Sequence, residues 1–565
     1  MEKLSLISPS FRKIIQGNYI YADKTEYIHK MIENFDSCFL SRPRRFGKTL
    51  LLDTIAELFK GDRELFKGLW IEAKSGYSFE NHPVLKISMG DYTEISSKDD
   101  LVDGIKTDLT FAADNEHIKI TARKIGQMLK QFLNRLSDKH GATAVILIDE
   151  CDAPVSRYIA DQALAADNRD VLHDFYAALK GSYEYVHLAV VTGITRFALT
   201  SMDSGPNNFV DISLLPEFSG VCGFTIPEFL KLFRDRFRDT LQNLKCNGSI
   251  GQNAGLKELK RKILAWYDGY NWLGKFRVLN PYSILNFFKH LEFDSFWPLS
   301  GQPSHLTALV RERPLDFIQP SLDGYLSEDV KKADIGKLEA VPVLFHSGYL
   351  TIDKKSLVDS SAKTAEGDTV QVVSFTFRPP NLDVELSYNS TCFKDLFERD
   401  GKYFNKFSID MKNAIPKKDC ETVSHMLEGL LTGITHRQRK PEEAYYHSLF
   451  QAAFIAAGIE VLGEPAGSRG QADMAVFLDG RIRVVIELKY RKADDLNDKS
   501  DGVRAEKELS AALDEAEKAI RDKRYDWIFR FSANEIIPMA LAVCGRDRVT
   551  ARFIESQATV IPTDP

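Results

Sequence analysis

The sequence lacks the features that would place the chain outside a reducing compartment. Its seven cysteines are scattered through 565 residues with no CxxC pair, which argues against a disulfide framework or a cysteine-based zinc site. No apolar run approaches the roughly 20 residues that span a bilayer, and the residues after Met1 do not have the pattern of a signal peptide. We therefore predict a soluble, cytoplasmic protein with no membrane partner.

A strong charge imbalance is also missing. The net charge is −6 and the isoelectric point is near 6.1, so the chain does not coat nucleic acid through its overall field and any polyanion contact must be local. Short basic runs occur at 436–440 and 481–492, although a solvated surface is the commoner role of such runs. With 44% hydrophobic and 27% charged residues, the composition is that of several folded domains.

Two carboxylates and a lysine occur close together near the end of the sequence. Asp473 precedes an apolar strand, and a turn at Asp479-Gly480 leads to a second strand that ends with Glu487 and Lys489. A metal-dependent phosphodiesterase needs acidic oxygens for a hard divalent cation and a nearby cationic group that acts on the attacking water. The spacing therefore predicts a metal site in this hairpin.

The register of the hairpin decides whether the three side chains share a surface. Glu487 and Lys489 lie on the same face of their strand because successive side chains alternate. A two-residue turn would place Asp473 on the opposite face, whereas a three-residue loop over 478–480 pairs it with Val485 and brings all three together. We therefore predict the longer loop, with a glycine bulge at Gly480.

A third acidic ligand is expected upstream. The segment 441–457 has the pattern of a helix that begins at a proline, and Glu443 in its first turn is preferred to Glu442. The alternative is that both acids only favour the positive end of the helix dipole. On the first interpretation, Glu443 completes the metal site.

A phosphate-binding loop is indicated in the amino-terminal third. Residues 38–40 predict a short buried strand, residues 41–47 a loop, and Lys48 the start of a helix. A phosphate loop has this order because amides at the helix start converge on the anion, the lysine bridges phosphate oxygens and a Ser/Thr hydroxyl binds magnesium. Lys48 and Thr49 occupy the last two positions, while Arg42 stands where the generic GxxxxGK[ST] pattern has its first glycine.

An apolar run that ends in two acids supports this interpretation. Residues 144–148 lead into Asp149 and Glu150, as expected for a central parallel strand whose carboxyl end reaches a nucleotide. Asp149 would hold magnesium through water, and Glu150 would polarise the water that attacks the γ-phosphate. Taken alone, the run is better explained by a buried strand before an acidic turn; together with Lys48 and Thr49 it predicts nucleotide binding.

A further strand over 186–191 is followed by polar residues that end at Arg196. Residues at this place commonly sense the γ-phosphate, and Arg196 could neutralise charge there or couple to another domain. Helical patterns at 122–136 and 171–179 alternate with the strands. The order predicts an α/β domain with a mostly parallel sheet.

These segments resemble a known family. The stretches that carry the resemblance are 21–25, 42–49, 148–150, 192–196 and 205–208 followed by Asp211. They are similar to AAA-ATPase-like proteins that carry a C-terminal PD-(D/E)XK nuclease domain, and the resemblance covers nearly the whole chain. Within that family the altered phosphate loop is the usual form.

The resemblance implies ATP as a ligand, Mg²⁺ or Mn²⁺ as cofactor, and nucleic acid, in particular DNA, as partner. A homo-oligomer is left open as the assembly. Relatives often have a glutamine in the last helix where this chain has Ala519, which puts substrate positioning in question. The residues that match functional positions of the family are Lys48, Thr49, Asp149 and Glu150 in the ATPase part, and Glu443, Asp473, Glu487 and Lys489 in the nuclease part. The further candidates for nucleotide binding are Arg44, Arg45, Gly47 and Arg196.

The middle region carries less information. Aromatic residues interleaved with glycine at 267–272 could stack on bases, but core and turn positions are their commoner role. Amphipathic patterns at 226–237 and 284–291 predict a mostly helical lid or winged domain, and the polar stretch 359–368 predicts an exposed loop. The expected domains are an AAA-like phosphate-loop ATPase domain at 1–220, the lid or winged linker at 221–380, and an α/β restriction-endonuclease-like domain at 381–565.

The resulting hypothesis is an ATP-controlled nuclease. Nucleotide binding at Lys48 and Thr49 would favour one domain arrangement and so change access to the metal site. A role in mobile elements or in defence against foreign nucleic acid is suggested by the family alone. The alternatives are a regulatory NTPase switch whose C-terminal domain binds nucleic acid or protein without cutting, and an oligomeric scaffold that binds nucleotide without turnover.

Overall fold

The computed structural model of the chain divides into two compact units. The first contains the described residues up to Ser387 and the second contains those from Tyr388 onward. The described residues are 2–4, 10–159, 161–195, 209–297, 322, 324–331, 339–363, 369–388, 401–432, 442–463, 465–467, 470–478, 482–492, 501–525, 529, 535–545 and 547–556.

The first unit is built on a five-stranded sheet whose described strand pairs are all parallel. Its strands, in the spatial order β2-β3-β4-β1-β5, are β1 (Ser37–Ser41), β2 (Val84–Ser88), β3 (Ala144–Asp149), β4 (Val186–Gly193) and β5 (Val210–Asp211). Every residue of β3 is buried, as predicted for a central strand. Because parallel strands end at the same edge, the loops after β1, β3 and β4 meet there. The predicted α/β domain with a mostly parallel sheet is confirmed.

Helices surround this sheet and continue into the middle region. They are α1 (Phe11–Gln16), α2 (Thr25–Asn34), α3 (Lys48–Phe59), α4 (Trp70–Lys74), α5 (Lys98–Asn115), α6 (Ile125–His140), α7 (Ala153–Ser156), α8 (Gln162–Lys180), α9 (Ile226–Leu232), α10 (Phe237–Cys246), α11 (Leu256–Tyr267), α12 (Pro281–His290), α13 (Ser327–Lys331) and α14 (Ala340–Ser347). α8 starts earlier than its apolar pattern predicts because the Asp161 carboxylate caps it by accepting from the Leu164 amide.

The middle region combines helices with short antiparallel sheets. β6 (Phe224–Thr225) pairs with β7 (Val278–Leu279), and β10 (Thr369–Arg378) lies between β8 (Tyr325–Leu326) and β9 (Thr351–Lys363). Phenylalanines of α9, α10 and α12 fill a common core. The predicted exposed loop at 359–368 is wrong for 359–363, since these residues continue β9 and Asp359 pairs with Gln371. Residues 364–368 lie outside the described part of the chain.

The second unit contains a mixed sheet with helices on both faces. Its strands are β11 (Glu460–Gly463), β14 (Met474–Leu478), β15 (Ile482–Arg491), β16 (Glu535–Cys544) and β17 (Arg548–Phe553) in this spatial order, with β12 (Ala466–Gly467) and β13 (Gly470–Gln471) as a separate pair. Only β15 and β16 run parallel among the pairs of the five-stranded sheet that the structure describes. The helices are α15 (Gly401–Ala414), α16 (Cys420–Thr432), α17 (Glu443–Ala456) and α18 (Asp501–Lys523).

Successive side chains of β15 point to opposite faces of the sheet and therefore join two different hydrophobic cores. Val484, Ile486 and Leu488 join the core formed with α15, α16 and α17, whereas Val485 joins the core under α18. This α/β arrangement agrees with the predicted restriction-endonuclease-like class. No helix in the described ranges has both the length and the apolar character needed to cross a bilayer.

The β14–β15 hairpin has a different register from the predicted one. Ala475, not Asp473, pairs with Val485, so the predicted pairing is wrong by two residues. Leu478 stays in the strand, paired with Ile482, because its side chain is buried in the core. Three residues still separate the strands, so Asp473 keeps the face of the sheet that was predicted for it. Gly480, where we predicted a bulge, lies outside the described residues.

Candidate functional site

The loop between β1 and α3 makes a tight turn around the start of the helix. Gly47 has a φ of +97° and Arg45 a φ of +66°, and glycine enters this left-handed region without steric cost. Arg42 is not among the residues with positive φ. An arginine therefore fits the corner where the generic phosphate loop has glycine.

Hydrogen bonds from Arg42 connect this loop to the rest of the first unit. Its buried guanidinium donates to the carbonyl oxygens of Ser41 at 2.7 Å, Ser213 at 2.8 Å and Phe218 at 3.0 Å. It also lies 4.2 Å from the ring centre of Trp272. Burial lowers the pKa of Arg42 to about 10, which still leaves it charged at neutral pH. Hydrogen bonds from a side chain thus fix the shape of the loop.

Aromatic residues of the middle region pack against the same loop. The ring of Phe46 packs edge-on against Tyr270, at a centroid distance of 4.8 Å, and against Trp272, at 5.1 Å. Gly348 approaches the loop so closely that a Cβ there would lie 2.7 Å from the Cβ of Pro43. Tyr270 and Trp272 are buried, which confirms their interpretation as core residues. The sequence signal for this contact is the phenylalanine within an otherwise charged loop.

The predicted phosphate and magnesium residues meet at the start of α3. The Lys48 ammonium donates to the carbonyl oxygens of Arg42 at 2.7 Å and Pro43 at 3.0 Å, and burial lowers its pKa. The Thr49 hydroxyl donates to the Asp149 carboxylate at 2.5 Å. A hydroxyl and a carboxylate are therefore held together beside a lysine that has no carboxylate bonded to it among the described residues.

Glu150 is placed by contacts that no local motif reveals. It has a φ of +49°, and its carboxylate passes over Gly90, where a Cβ would lie 2.2 Å from Glu150 Oε2. The nearest Arg157 nitrogen is 4.0 Å from the same oxygen. Sequence reasoning missed Gly90, which comes from another part of the chain, and Arg157, which follows Glu150 by seven residues. Arg196, the arginine that it did select, lies outside the described residues.

A cavity of about 470 Å³ adjoins these groups. Arg44, Arg45, Lys48 and Thr49 line it together with Gly47, Glu150 and Arg157, and Ile14, Ile20 and Leu285 supply an apolar wall. The Arg45 guanidinium lies 5.2 Å from the ring centre of Tyr282, which also lines the cavity. The donor set fits a nucleoside triphosphate: cations and helix-start amides suit phosphates, and Thr49 with Asp149 suits magnesium.

The second unit brings Asp473, Glu487 and Lys489 together. Glu487 Oε1 lies 3.1 Å from Lys489 Nζ, while Glu487 Oε2 is buried without a hydrogen-bond partner in the described structure. Burial raises the pKa of Glu487 to about 7, and the charge of Asp473 adds to the effect. Burial also raises the pKa of Asp473, whose Oδ2 accepts from the Leu488 amide at 2.6 Å. A buried carboxylate with an unsatisfied oxygen, beside the half-buried carboxylate of Asp473, fits a divalent cation, which would stabilise both in their charged forms.

Glu443 lies beside Lys489 at the edge of this site. Its Oε1 lies 3.2 Å from Lys489 Nζ and its Oε2 accepts from the Tyr490 amide at 3.1 Å. Burial lowers the pKa of Lys489, but the charges of Glu487 and Glu443 outweigh burial and raise it. In the described residues no three His, Cys, Asp or Glu side chains are grouped so as to hold a metal ion. Both oxygens of Glu443 are engaged by Lys489 and the Tyr490 amide, and its role as a third ligand stays a prediction.

His447 is a further residue of this site that the sequence analysis missed. It follows Glu443 by one turn of α17, and its ring nitrogen Nε2 bonds to the carbonyl oxygen of Asp473. The spacing of four residues, which places both side chains on one helix face, is the signal that marks it. The helix thus supports both Lys489 and the bend at Asp473.

The fold and both candidate sites define a two-part protein, with one α/β unit that carries Lys48 and Thr49 at a loop-to-helix turn and a second α/β unit that carries an acid-acid-lysine hairpin. Residues 7–203 match the family described as predicted AAA-ATPase, and residues 441–553 match the PD-(D/E)XK nuclease superfamily. A protein of Azotobacter chroococcum mcd 1, described as "Uncharacterized protein in vnfD 5'region", is 30% identical over 499 residues, which cover 86% of this chain and 90% of the relative. The chain belongs to the family of AAA-ATPase-like proteins with a C-terminal PD-(D/E)XK nuclease domain.

Proposed function

We propose that this protein is an ATPase that controls a metal-dependent nuclease, with functional regions at 1–220, 221–380 and 381–565. The observation that carries the nuclease proposal is the buried, unpartnered Oε2 of Glu487 beside Asp473 and Lys489. Such an oxygen is costly unless a cation or a proton satisfies it. The substrate class is nucleic acid, with DNA as the first choice.

The nuclease residues divide into cation-binding and charge-stabilising groups. Asp473 and Glu487 would hold Mg²⁺ or Mn²⁺, which when bound supplies a more acidic water and polarises a phosphoryl oxygen. Lys489 keeps its proton because two carboxylates raise its pKa, so it can stabilise the negative charge that develops on the phosphate. Glu443 positions Lys489, and His447 holds the backbone of Asp473.

The ATPase residues divide in a similar way. Lys48, Arg44, Arg45 and the amides after Gly47 would bind phosphates, whereas Thr49 and Asp149 would hold magnesium. Glu150 would orient the attacking water. We propose Arg196 as a γ-phosphate sensor from its position after β4 alone.

Nucleotide binding at Lys48 would change the packing of the middle region. To reach a phosphate, Lys48 must leave the carbonyl oxygens of Arg42 and Pro43. The same loop packs on Tyr270, Trp272 and Gly348. A change in the loop would therefore alter the packing of the middle region, which is the kind of two-state element that switching requires. From the family resemblance alone, we propose that this switch acts in defence or mobile-element biology.

A cation titration tests the nuclease proposal. Wild-type protein should cut duplex DNA with Mg²⁺ or Mn²⁺ and not with EDTA. In Glu487→Gln, the cation concentration for half-maximal cutting should rise by a factor of about 10–100 or more. Mutating a residue that only supports a metal ligand already lowers metal affinity by that factor, and Glu487 is proposed as a ligand itself. Glu515→Gln, an exposed glutamate that pairs with Arg491 in the same unit, is the matched control. Cutting that survives in EDTA, or that Glu487→Gln leaves unchanged, would refute the site.

The same assay addresses the main alternative, a switch that binds nucleic acid or protein without cutting. Ala519 favours this alternative, because the family glutamine is absent from α18 at that position. Wild-type protein that binds DNA but does not cut it with either cation would support the alternative.

ATP turnover in Glu150→Gln tests the other activity. We expect turnover to fall about 100-fold, since an oriented water depends on this carboxylate, while ATP binding stays within about twofold. Radiolabelled phosphate release and equilibrium dialysis measure the two quantities, with the exposed Glu64→Gln as control. Wild-type protein that binds ATP without any turnover would instead support the scaffold hypothesis.

A further inference from the structure

The helical part of the middle region has a charge opposite to that of the whole chain. Residues 226–290 contain 12 lysines and arginines against 5 aspartates and glutamates, although the full chain has a net charge of −6. A local excess of this size in an acidic protein needs a reason beyond solubility, because like charges held on one small surface repel.

Part of this positive charge lies on and beside the packed pair α10 and α11. On α11, Leu259, Ile263 and Tyr267 face the core. Lys257 and Arg261 are exposed, one helical turn apart. They occupy the side of the helix away from that core, given 3.6 residues per turn.

Residues at the start of α10 extend the same surface. The Lys260 ammonium of α11 lies 4.8 Å from the ring centre of Phe237, the first residue of α10. Arg234, three residues before Phe237, and Arg238, directly after it, are exposed. We call Arg234, Arg238, Lys257, Lys260 and Arg261 the basic surface.

These five side chains are available to a partner. Among the described residues, none of the five has a carboxylate within ion-pair distance, whereas many exposed lysines of the first unit do, such as Lys67 with Glu64 at 3.6 Å. None of these five charges is therefore neutralised by a carboxylate of the described residues. A polyanion that neutralised them would also gain entropy from the release of its counterions.

We propose that the basic surface binds the phosphate backbone of nucleic acid, with duplex DNA as the partner, and so gives the ATPase unit its own contact to the substrate. The choice of nucleic acid over another polyanion rests on the nuclease proposal, because the chain carries a domain of a nuclease superfamily. The contact itself does not use the carboxylate hairpin. It would read no sequence, since lysine and arginine on phosphates position a protein without specifying bases.

Salt-dependent binding by the full chain tests this proposal. Binding of a short fluorescent DNA duplex is measured by anisotropy in EDTA, so that neither cleavage nor bound cation contributes. The triple variant Arg238→Gln, Lys257→Gln, Arg261→Gln should bind about tenfold or more weakly near 0.1 M salt. Its slope of log K against log salt should be smaller by about 2–3, since each phosphate contact in duplex DNA contributes about 0.9.

A matched triple variant separates this surface from a general loss of charge. Lys74→Gln, Lys98→Gln and Lys130→Gln remove three exposed lysines elsewhere in the same unit, and should leave affinity and slope close to wild type. Unchanged binding by the first variant, or an equal loss in both, would overturn the proposal. So would a wild-type chain that binds vesicles of anionic lipid through these residues but not the duplex. Because cutting is absent from the assay, a failed nuclease proposal and a failed binding surface give different results.

Discussion

Replacing Lys489 with methionine should lower the rate of metal-dependent cutting about 10³-fold without raising the cation concentration needed for half-maximal cutting. The ammonium lies 3.1 Å from Glu487 and 3.2 Å from Glu443, so the protein holds a protonated lysine beside the proposed cation ligands. A group that stabilises charge only in the transition state changes the rate constant and not the affinity for the ground state. Single-turnover cutting as a function of Mg²⁺ concentration separates the two quantities.

Arg491→Met is the matched control for this prediction. Arg491 follows Lys489 by two residues on β15, so its side chain leaves the same face, and its guanidinium pairs with Glu515. A partly exposed ion pair of this kind is worth about 0–1 kcal/mol, so the control should cut within about fivefold of wild type. If Lys489→Met cuts at the wild-type rate, the lysine only balances the charge of Glu443 and Glu487. If it raises the cation requirement instead, the lysine acts by placing Glu487.

Local sequence patterns were sufficient to predict the helix and the strands that carry the two sites. The continuous apolar run of β3, the helix that starts at Lys48 and the alternation along β15 are properties of neighbouring residues, and the structure contains all three. The face that Asp473 shares with Glu487 also followed, because it depends only on the parity of the hairpin loop. The register did not follow, because it depends on whether Leu478 is buried, which is set by helices that pack on the sheet.

Contacts between distant parts of the chain could not be predicted in this way. Arg42 bonds to Ser213 and Phe218, which are 171 and 176 residues away, and nothing in the loop sequence identifies those partners. Gly90 makes room for Glu150 from another strand end. For Glu443, the sequence marked the right position but not its partner, since a carboxylate in the first turn of a helix can serve a cation, a lysine or the helix dipole equally well.

Replacing Arg42 with alanine should lower the free energy of unfolding of the first unit by about 3–5 kcal/mol. The change leaves the carbonyl oxygens of Ser41, Ser213 and Phe218 without this donor in a buried place, and it opens a cavity beside Trp272. Four of the five tryptophans, Trp70, Trp266, Trp272 and Trp297, belong to this unit, so denaturant unfolding followed by tryptophan fluorescence reports mainly on it. Arg42→Met, which keeps the stem but not the donors, measures the hydrogen-bonding share of the loss.

The ATP affinity of the Arg42→Ala variant decides whether Arg42 shapes the loop or binds phosphate. Its guanidinium points to protein carbonyls, so ATP affinity should fall in Arg42→Ala only because Lys48 loses the ordered loop on which it rests. Arg45 is exposed and lines the cavity. Arg45→Ala should therefore weaken ATP binding and leave the free energy of unfolding unchanged. An Arg42→Ala protein that unfolds like wild type but binds ATP poorly would make Arg42 a direct ligand. The arginine in place of the usual glycine would then be part of nucleotide recognition rather than a structural substitute.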